Sequence, residues 1–212
     1  MNQKQNQHYR IRIRFAKNED LRFLGHLDLI RALERIFRRA GFELAMSEGF
    51  HPRPRMRFSG PLPVGQVGLD EVMDLVVVAI GDPDLMREQL NQFSVPGLEF
   101  KHIEILNDSV EKLKAKSFCY AVPVDPEFQD TVKINLERFL LSNSHFVQKK
   151  GRQQQIDIRP LVFDLRLEDG QLQMQLAATQ EAGVRPAEIL ELLDLSANSQ
   201  RGAVLTRTTV QL

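Results

Sequence analysis

Residues 9–17 of the chain read YRIRIRFAK, a stretch in which apolar residues and arginines alternate. The apolar side of the alternation consists of Ile11, Ile13 and Phe15. The positions between them are Arg10, Arg12 and Arg14, which we call the strand row. Because successive side chains of a β-strand point to opposite faces, the pattern predicts a half-buried strand with an apolar inner face and an arginine outer face.

The segment that follows, residues 19–41, predicts an amphipathic helix. Glu19 and Asp20 favour its beginning and Gly41 favours its end. One side of the helical wheel carries His26, Leu29, Ile30, Leu33, Phe37 and Ala40. We therefore expect His26 to be mostly buried in the apolar face of this helix.

The rest of the first half predicts two short strands, a strong central strand, a helix and a last strand. In chain order these are residues 42–47, 55–60, 70–80, 82–93 and 97–106. Asp82 is the expected N-cap of the helix, with Pro83 at its first position. Residues 9–106 thus read β-α-β-β-α-β, the order of a ferredoxin-like unit.

The second half repeats this element order without recognisable sequence identity. A strand, a helix, a hairpin, a short helix and a closing strand are expected, in chain order, at residues 117–124, 125–143, 156–179, 185–195 and 203–212. Asp169 and Gly170 form the expected hairpin turn, and the residues expected to point inward on its first strand are Leu161, Phe163, Leu165 and Leu167. The prediction is an α+β protein of two tandem ferredoxin-like units with antiparallel sheets, residues 9–106 and 117–212, joined by a polar linker.

Composition limits the classes of function. The chain has 212 residues, and no apolar run is long enough to span a membrane. The polar N-terminus has no apolar signal stretch, so we expect a cytoplasmic protein. Cys119 is the single cysteine, and a lone cysteine cannot hold an iron–sulfur cluster or a cysteine-rich zinc site. We expect no cofactor, and Cys119 is expected to be buried and inert in its strand.

The net charge of zero hides an asymmetry between the two halves. The first 60 residues contain 13 Lys and Arg against 6 Asp and Glu, whereas the remainder contains 15 against 22. A basic first unit and an acidic second unit favour an anionic partner, such as RNA, bound at one end. In the alternative interpretation, the two halves neutralise each other across an interface.

A second distinctive stretch is SEGFHPRPRMRFSGPLPVG, residues 47–65. Its prolines fix the backbone and favour extended geometry, so the side chains expected to share one side are His51, Arg53, Arg55 and Arg57. We call Arg53, Arg55 and Arg57 the loop row. A stiff row of arginines favours phosphate binding. The alternative is a solvated edge strand whose prolines and cations block aggregation.

Two stretches of the chain resemble a known family. They are residues 22–65 and IDIRPLVFDL, residues 156–165. With its FLGHLDL, GFHPRPR and PLPVG motifs, the chain resembles a bacterial domain family of unknown function that is associated with radical-SAM proteins. The resemblance covers the chain from residue 9 to the end and implies a stand-alone form of that domain. In other members of that family the domain follows a radical-SAM enzyme, so the resemblance implies such an enzyme as a candidate partner, and it assigns no activity. The chain has no CxxxCxxC motif, so it is not itself such an enzyme.

The strand row is a second candidate for nucleic-acid contact. In a ferredoxin-like unit the helices cover one face of the sheet, so these arginines should line the open face, which RNA-recognition modules use. Aromatic residues are missing from the open-face positions, but arginine can stack on bases or hold phosphates. The alternative is that the second unit covers this face and pairs its acidic residues with the arginines.

His26 and His51 are the candidate catalytic residues. Metal-independent RNA cleavage needs a base and an acid that flank a phosphate, and these histidines could supply them only if the loop folds back over the helix start. A hydrogen-bonded core histidine is the commoner explanation for His26. His8, His102 and His145 are scattered, so no metal site is expected.

The leading hypothesis is an RNA-binding accessory protein in RNA modification or processing. Its phosphate site would consist of the loop row, His51 and the strand row. The alternative is a protein-interaction module that docks a radical-SAM enzyme, and a third hypothesis is a metal-independent endoribonuclease.

Overall fold

The alternating stretch forms the first strand of the protein, β1 (Tyr9–Lys17), as its pattern predicts. The structure, a computed structural model, describes residues 8–149, 155–178 and 183–212. The chain divides into two compact units, residues 1–114 and 115–212. Each unit combines helices with antiparallel strands, which confirms the predicted α+β class.

The first unit has the order β-α-β-β-α-β. After β1, its elements are α1 (His26–Arg39), β2 (Met56–Phe58), β3 (Val67–Val77), α2 (Pro83–Gln92) and β4 (Leu98–Leu106). β1 lies between β4 and β3, and β2 pairs with β3. These pairs are all antiparallel. The first strand is therefore central in this unit, as expected.

The core of the first unit lies on the isoleucine face of β1. Ile11 and Ile13 are completely buried, and Phe15 is nearly so. They pack in one cluster with buried residues of α1 and α2, among them Leu33 and Leu90. Burying side chains of this size stabilises the fold by roughly 1.5–3 kcal/mol each. The strand row lies on the opposite face of β1.

The helix predicted over residues 19–41 is shorter than expected. Residues 19–23 form a separate 3₁₀ turn, and the extended backbone of Leu24 and Gly25 keeps this turn apart from α1. The expected end is correct, because Gly41 takes a positive φ of 78° and Phe42 N donates a hydrogen bond to Phe37 O. Glycine suits this position because it has no Cβ to clash in left-handed backbone.

Two other local predictions for the first unit have different outcomes. Asp82 caps α2 as predicted, since its carboxylate accepts hydrogen bonds from the backbone of Asp84 at 3.0 Å and Leu85 at 3.1 Å. Residues 42–47 do not form the expected strand. They make only isolated bridges to other segments, from Leu44 to Val77 and from Met46 to Pro54.

The second unit contains a four-stranded antiparallel sheet in the order β10-β5-β9-β8. Its elements are β5 (Ser117–Pro123), α3 (Pro126–Leu141), β6 (Phe146–Gln148), β7 (Gln155–Asp157), β8 (Val162–Glu168), β9 (Gln171–Ala177), α4 (Pro186–Leu192), α5 (Ser196–Gln200) and β10 (Thr206–Gln211). β6 and β7 pair separately as a small hairpin. None of the helices in the described ranges is long and apolar enough to cross a membrane.

The hairpin of β8 and β9 has the predicted turn, but its first strand begins at Val162 instead of residue 156, since residues 155–157 pair with β6 and residues 159–161 form a 3₁₀ turn. Asp169 and Gly170 both take positive φ at its turn, which suits a tight two-residue connection. The inward position of Phe163 is wrong, because this side chain is exposed. The pairing register shifts between Val162 and Asp164, and this irregularity puts Val162 in the core instead.

Candidate nucleic-acid interface

The middle residue of the strand row forms an ion pair within its own unit. Arg12 Nε lies 2.8 Å from Asp74 Oδ1, and a second guanidinium nitrogen lies 3.1 Å from Oδ2. The side chains are only 12% and 5% exposed, respectively. A two-bond arginine–carboxylate pair of this kind is strong and directional. Arg12 is therefore occupied by Asp74.

The other two members of the strand row also have partners. Arg14 pairs with Asp70 at 2.5 Å in a half-buried position. Arg10 donates a hydrogen bond to the backbone carbonyl of Val110. Asp70 and Asp74 both lie on β3, and Asp74 is directly opposite Arg12 in the antiparallel register. The neighbouring strand of the same unit thus supplies the carboxylates. The sequence interpretation instead predicts either free arginines on an open face or pairing with acidic residues of the second unit.

The loop row is arranged differently. Ser47 and Arg53 close the base of the loop, since Ser47 N donates to Arg53 O at 2.8 Å and Arg53 N donates to Ser47 Oγ at 3.0 Å. Beyond this closure, Arg55 and Arg57 are exposed, whereas the intervening Met56 is half-buried. In the described part of the chain, the guanidinium groups of Arg55 and Arg57 form no ion pair or hydrogen bond.

The tip of the loop presents two ring side chains to solvent. Phe50 is fully exposed and His51 beside it is exposed as well. Gly49, which precedes them, has a φ of 117°, a conformation that other residues rarely adopt. An exposed phenylalanine beside arginines can stack on a nucleic-acid base or contact an apolar partner.

Cations converge in a cavity of about 260 Å³ beside β2. Its charged lining consists of Arg10, Arg55, Arg57, Lys112 and Asp74, and Met56 and Val76 complete the walls. We call this cavity the basic pocket. Because Asp74 already pairs with Arg12, the four cations of the lining are not balanced by a free carboxylate of the lining. The pocket is therefore suited to an anion such as a phosphate group.

A larger cleft of about 640 Å³ lies between α1 and the segment around β2. Its lining includes His26 at the start of α1, Glu34 further along the same helix, and Arg53 from the loop row. The predicted burial of His26 is wrong, because the side chain is exposed. The reason is that α1 begins at His26, so the imidazole extends from the first turn and meets the Phe58 ring edge-on, with 5.0 Å between centroids.

The predicted site residues are thus divided among several places. Arg55 and Arg57 meet Arg10 in the basic pocket, while Arg53 lines the cleft and His51 lies at the loop tip. The described ranges show no ring contact or hydrogen bond between His26 and His51, and the cleft is lined by His26 without His51. Two histidines flanking one phosphate, as the endoribonuclease hypothesis requires, are not brought together by these contacts.

Chemistry elsewhere in the described residues is limited. No group of three His, Cys, Asp or Glu residues is arranged to hold a metal ion within those ranges. Cys119 is half-buried rather than buried, and burial together with the Asp164 carboxylate raises the pKa of its thiol. A thiol with a raised pKa is mostly protonated near neutral pH and therefore a weak nucleophile.

The sequence interpretation missed several residues of the candidate interface. Lys112 lies in the predicted linker, and neither Phe50 nor Glu34 is among the predicted site residues. The alternation of Asp70 and Asp74 in β3 was a usable signal, because acidic residues at every second or fourth position of a neighbouring strand can match a row of arginines. Lys112 carried no such signal, since its place depends on how the chain returns beside β1.

Residues 10–186 match the model of a family described as "Uncharacterized protein conserved in bacteria (DUF2344)". The chain belongs to this family. The match includes the loop row, the basic pocket and the cleft, together with the second stretch that carried the resemblance. The description of DUF2344 names no activity and does not mention radical-SAM proteins, so that association stays a prediction.

Other comparisons add little about function. No curated protein matches the chain. Among solved structures, the chain is similar to one described as "Crystal Structure of an Unknown Protein from Galdieria sulphuraria". The two share 10% identity over 97% of this chain and 98% of that chain, with a TM-score of 0.31. A likeness this weak carries no argument about the DUF2344 chain.

Proposed function

We propose that the protein binds single-stranded RNA, as an accessory factor in RNA modification or processing, and that the basic pocket is its phosphate site. The observation that carries the proposal is the convergence of Arg10, Arg55, Arg57 and Lys112 on one cavity. Arginine matches phosphate geometry with two parallel hydrogen bonds, and lysine adds a mobile point charge. A nucleic-acid strand carries many phosphates, so it can contact several of these cations at once. A single small anion can contact fewer of them.

The loop supports the same proposal through its stiffness. Pro52 and Pro54 restrict the backbone on either side of Arg53, and the bonds between Ser47 and Arg53 close the loop. A restricted backbone loses less conformational entropy when its cations bind a ligand. The exposed Phe50 provides the stacking group that the open face of the sheet lacks, and base stacking on an aromatic ring contributes roughly 1–3 kcal/mol.

Both units are proposed to be ferredoxin-like. The first has the order β4-β1-β3 with β2 paired to β3, and the second has the corresponding order β10-β5-β9-β8. The element order of each unit also fits the split βαβ pattern once the small β6–β7 hairpin is treated as an insertion. In this description the basic pocket lies on the face of the first sheet that faces away from α1 and α2, which is the face used by RNA-recognition modules.

A second candidate function is a docking module for a protein partner such as a radical-SAM enzyme. The observation in its favour is the full exposure of Phe50, together with the exposed Phe23 and Leu27 of the same unit. Large apolar side chains exposed to solvent are candidates for contact with a protein partner. The experiment below separates this function from RNA binding.

RNA binding is tested by fluorescence anisotropy with an oligouridine of about ten nucleotides, a length within the usual site sizes. The affinity should fall linearly with salt on logarithmic axes, with a slope of roughly −0.7 for each phosphate contact. Arg55→Ala/Arg57→Ala should flatten the slope by about one to two units. The matched control is Lys133→Ala/Arg138→Ala, which removes two exposed cations from α3 and should leave the slope unchanged.

Two results would contradict the proposal. One is the absence of binding by the unmodified protein at low salt, and the other is an equal loss in the control variant. In the first case, a pull-down from lysate with and without ribonuclease distinguishes the docking function. A protein partner that is retained after ribonuclease treatment and lost with Phe50→Ala would favour docking.

A further inference from the structure

The cleft beside α1 has the composition of a site for a flat, polar ring. Its apolar lining includes Leu27, Ile30, Pro54, Met56 and Phe58. The ring pair of His26 and Phe58, with an interplanar angle of 78°, forms one wall. At about 640 Å³ the cleft is in the range of roughly 300–1,000 Å³ that is usual for small-molecule sites. Apolar and aromatic walls of this kind are used to stack nucleobases.

The charged groups of the cleft are one carboxylate and two guanidinium groups, and the His26 imidazole is a further polar group of its lining. Glu34 is the acceptor, and Arg31 and Arg53 are the donors. Among the described residues, Oε1 of Glu34 accepts two bonds from Arg38 at 3.0 and 3.2 Å, and Oε2 accepts none. Its side chain is 30% exposed, so the second carboxylate oxygen can be reached by a ligand. A carboxylate has about four acceptor positions, and the helix uses part of them.

We propose that this cleft binds a guanine base of the RNA strand, an inference that rests on the proposed RNA-binding function. Guanine presents two adjacent donors, N1–H and the N2 amino group, which a carboxylate accepts together. It also presents two adjacent acceptors, O6 and N7, which an arginine contacts in the same way. Uracil, cytosine and adenine lack both of these pairs. Glu34 and Arg53 therefore favour guanine over the other bases.

The position of the cleft relative to the basic pocket agrees with a continuous strand of RNA. Met56 of β2 lines both cavities. On one side of this residue the basic pocket receives Arg55 and Arg57, and on the other side the cleft receives Arg53 and Phe58. A strand of RNA that crosses β2 can thus place a phosphate in the pocket and a base in the cleft. The specificity then comes from the cleft and most of the salt dependence from the pocket.

The test compares oligouridines of about ten nucleotides that carry one central guanosine, adenosine or inosine, by anisotropy at fixed salt. Guanosine should raise the affinity about fivefold or more over adenosine, the lower end expected for a two-bond contact in a partly exposed site. Inosine lacks the N2 amino group, so it should retain only about a twofold preference. Glu34→Gln should abolish the preference for guanosine and leave the salt slope unchanged.

The matched control is Glu137→Gln, which removes an exposed glutamate from α3 and should keep the preference. If the unmodified protein binds all probes with a normal salt slope but equal affinity, the guanine proposal is overturned and RNA binding stands. If it binds no probe at low salt, RNA binding itself fails. The inosine comparison uses only the unmodified protein, so the test does not depend on the folding of any variant.

Discussion

The strand row and the loop row have the same sequence signature but different surroundings. Each places arginines at alternate positions of an extended segment of the first unit. Arg12 is 12% exposed and held by Asp74, whereas Arg55 and Arg57 are exposed and without carboxylate partners in the described residues. The difference shows that an alternating arginine pattern predicts which side of a segment the arginines occupy. The neighbouring strand determines whether carboxylates pair with them.

The physical distinction is the cost of desolvation. A buried charge is tolerated only with a partner of opposite sign, so the Arg12–Asp74 pair contributes to the fold as a unit. An exposed arginine keeps its hydration and contributes little to stability, but it can exchange water and counterions for a phosphate. We therefore propose a structural role for Arg12 and Arg14 and a ligand-binding role for Arg55 and Arg57.

The largest expected effect comes from breaking the buried pair. Arg12→Met should lower the free energy of unfolding by about 3 kcal/mol, because the 5% exposed Asp74 carboxylate would be left without its partner. Urea denaturation followed by circular dichroism measures the change. Arg55→Ala/Arg57→Ala is the comparison, and each of its substitutions should cost at most about 0.5 kcal/mol.

A double variant isolates the pair itself. In Arg12→Met/Asp74→Leu both charges are absent, and an apolar pair of this kind is often as stable as the ion pair that it replaces. Most of the stability lost in Arg12→Met should therefore return. A double variant that is less stable than Arg12→Met would contradict the assignment of a structural role to this pair.

A similar pair in the second unit extends the comparison. Lys149 and Glu188 lie 2.5 Å apart with both side chains 12% exposed. Burial alone would raise the pKa of Glu188, but hydrogen bonds from the Arg185 backbone and from the side chains of Lys149 and Arg185 hold that pKa below its ordinary value. Glu188→Gln should lower the free energy of unfolding by about 1.5 kcal/mol at pH 7.

The pH dependence of this effect has a definite sign. Because the pKa of Glu188 is lower in the folded state, its contribution is fully present above the ordinary glutamate pKa of about 4.3 and is lost as the pH falls through the folded value. The stability difference between the unmodified protein and Glu188→Gln should therefore narrow below about pH 4. A difference that is constant from pH 7 to pH 3 in urea titrations would show that the charge is unimportant.

The smallest expected effect concerns Arg10, which belongs to the strand row by sequence and to the basic pocket by position. Arg10→Ala should flatten the salt slope of RNA binding by about 0.7, the value of one phosphate contact on a single strand. Arg14→Ala is the matched control from the same row and should leave the slope unchanged, because Asp70 already holds that side chain. Equal slopes in the two variants would show that Arg10 does not contact a phosphate of the RNA.

Much of the fold was predictable because it depends on local patterns. The alternation in β1, the Asp82 cap and the Asp169–Gly170 turn each follow from a few adjacent residues. The irregularity that exposes Phe163 was not predictable, because a register shift depends on the partner strand. The exposure of His26 was not predictable either, because it depends on the residue at which α1 begins. The separate 3₁₀ turn at residues 19–23 determines that residue.

The candidate site was predictable only in part. Arg55 and Arg57 were selected from the proline-rich stretch, and Arg10 from the alternation of β1. That these three meet, that Lys112 joins them and that Arg53 lines a different cavity are consequences of long-range packing. Residue type and spacing indicate which side chains can bind an anion, and the pairing of β1 with β3 decides which of them are already occupied.

The most direct test of the division between the two rows is the salt dependence of RNA binding in two variants measured together. Arg55→Ala/Arg57→Ala should flatten the slope by about one to two units, whereas Arg14→Ala, a strand-row variant outside the pocket lining, should keep the slope of the unmodified protein. Anisotropy titrations with oligouridine at several salt concentrations give both values. An unchanged slope in the first variant, or an equal loss in the second, would contradict the account.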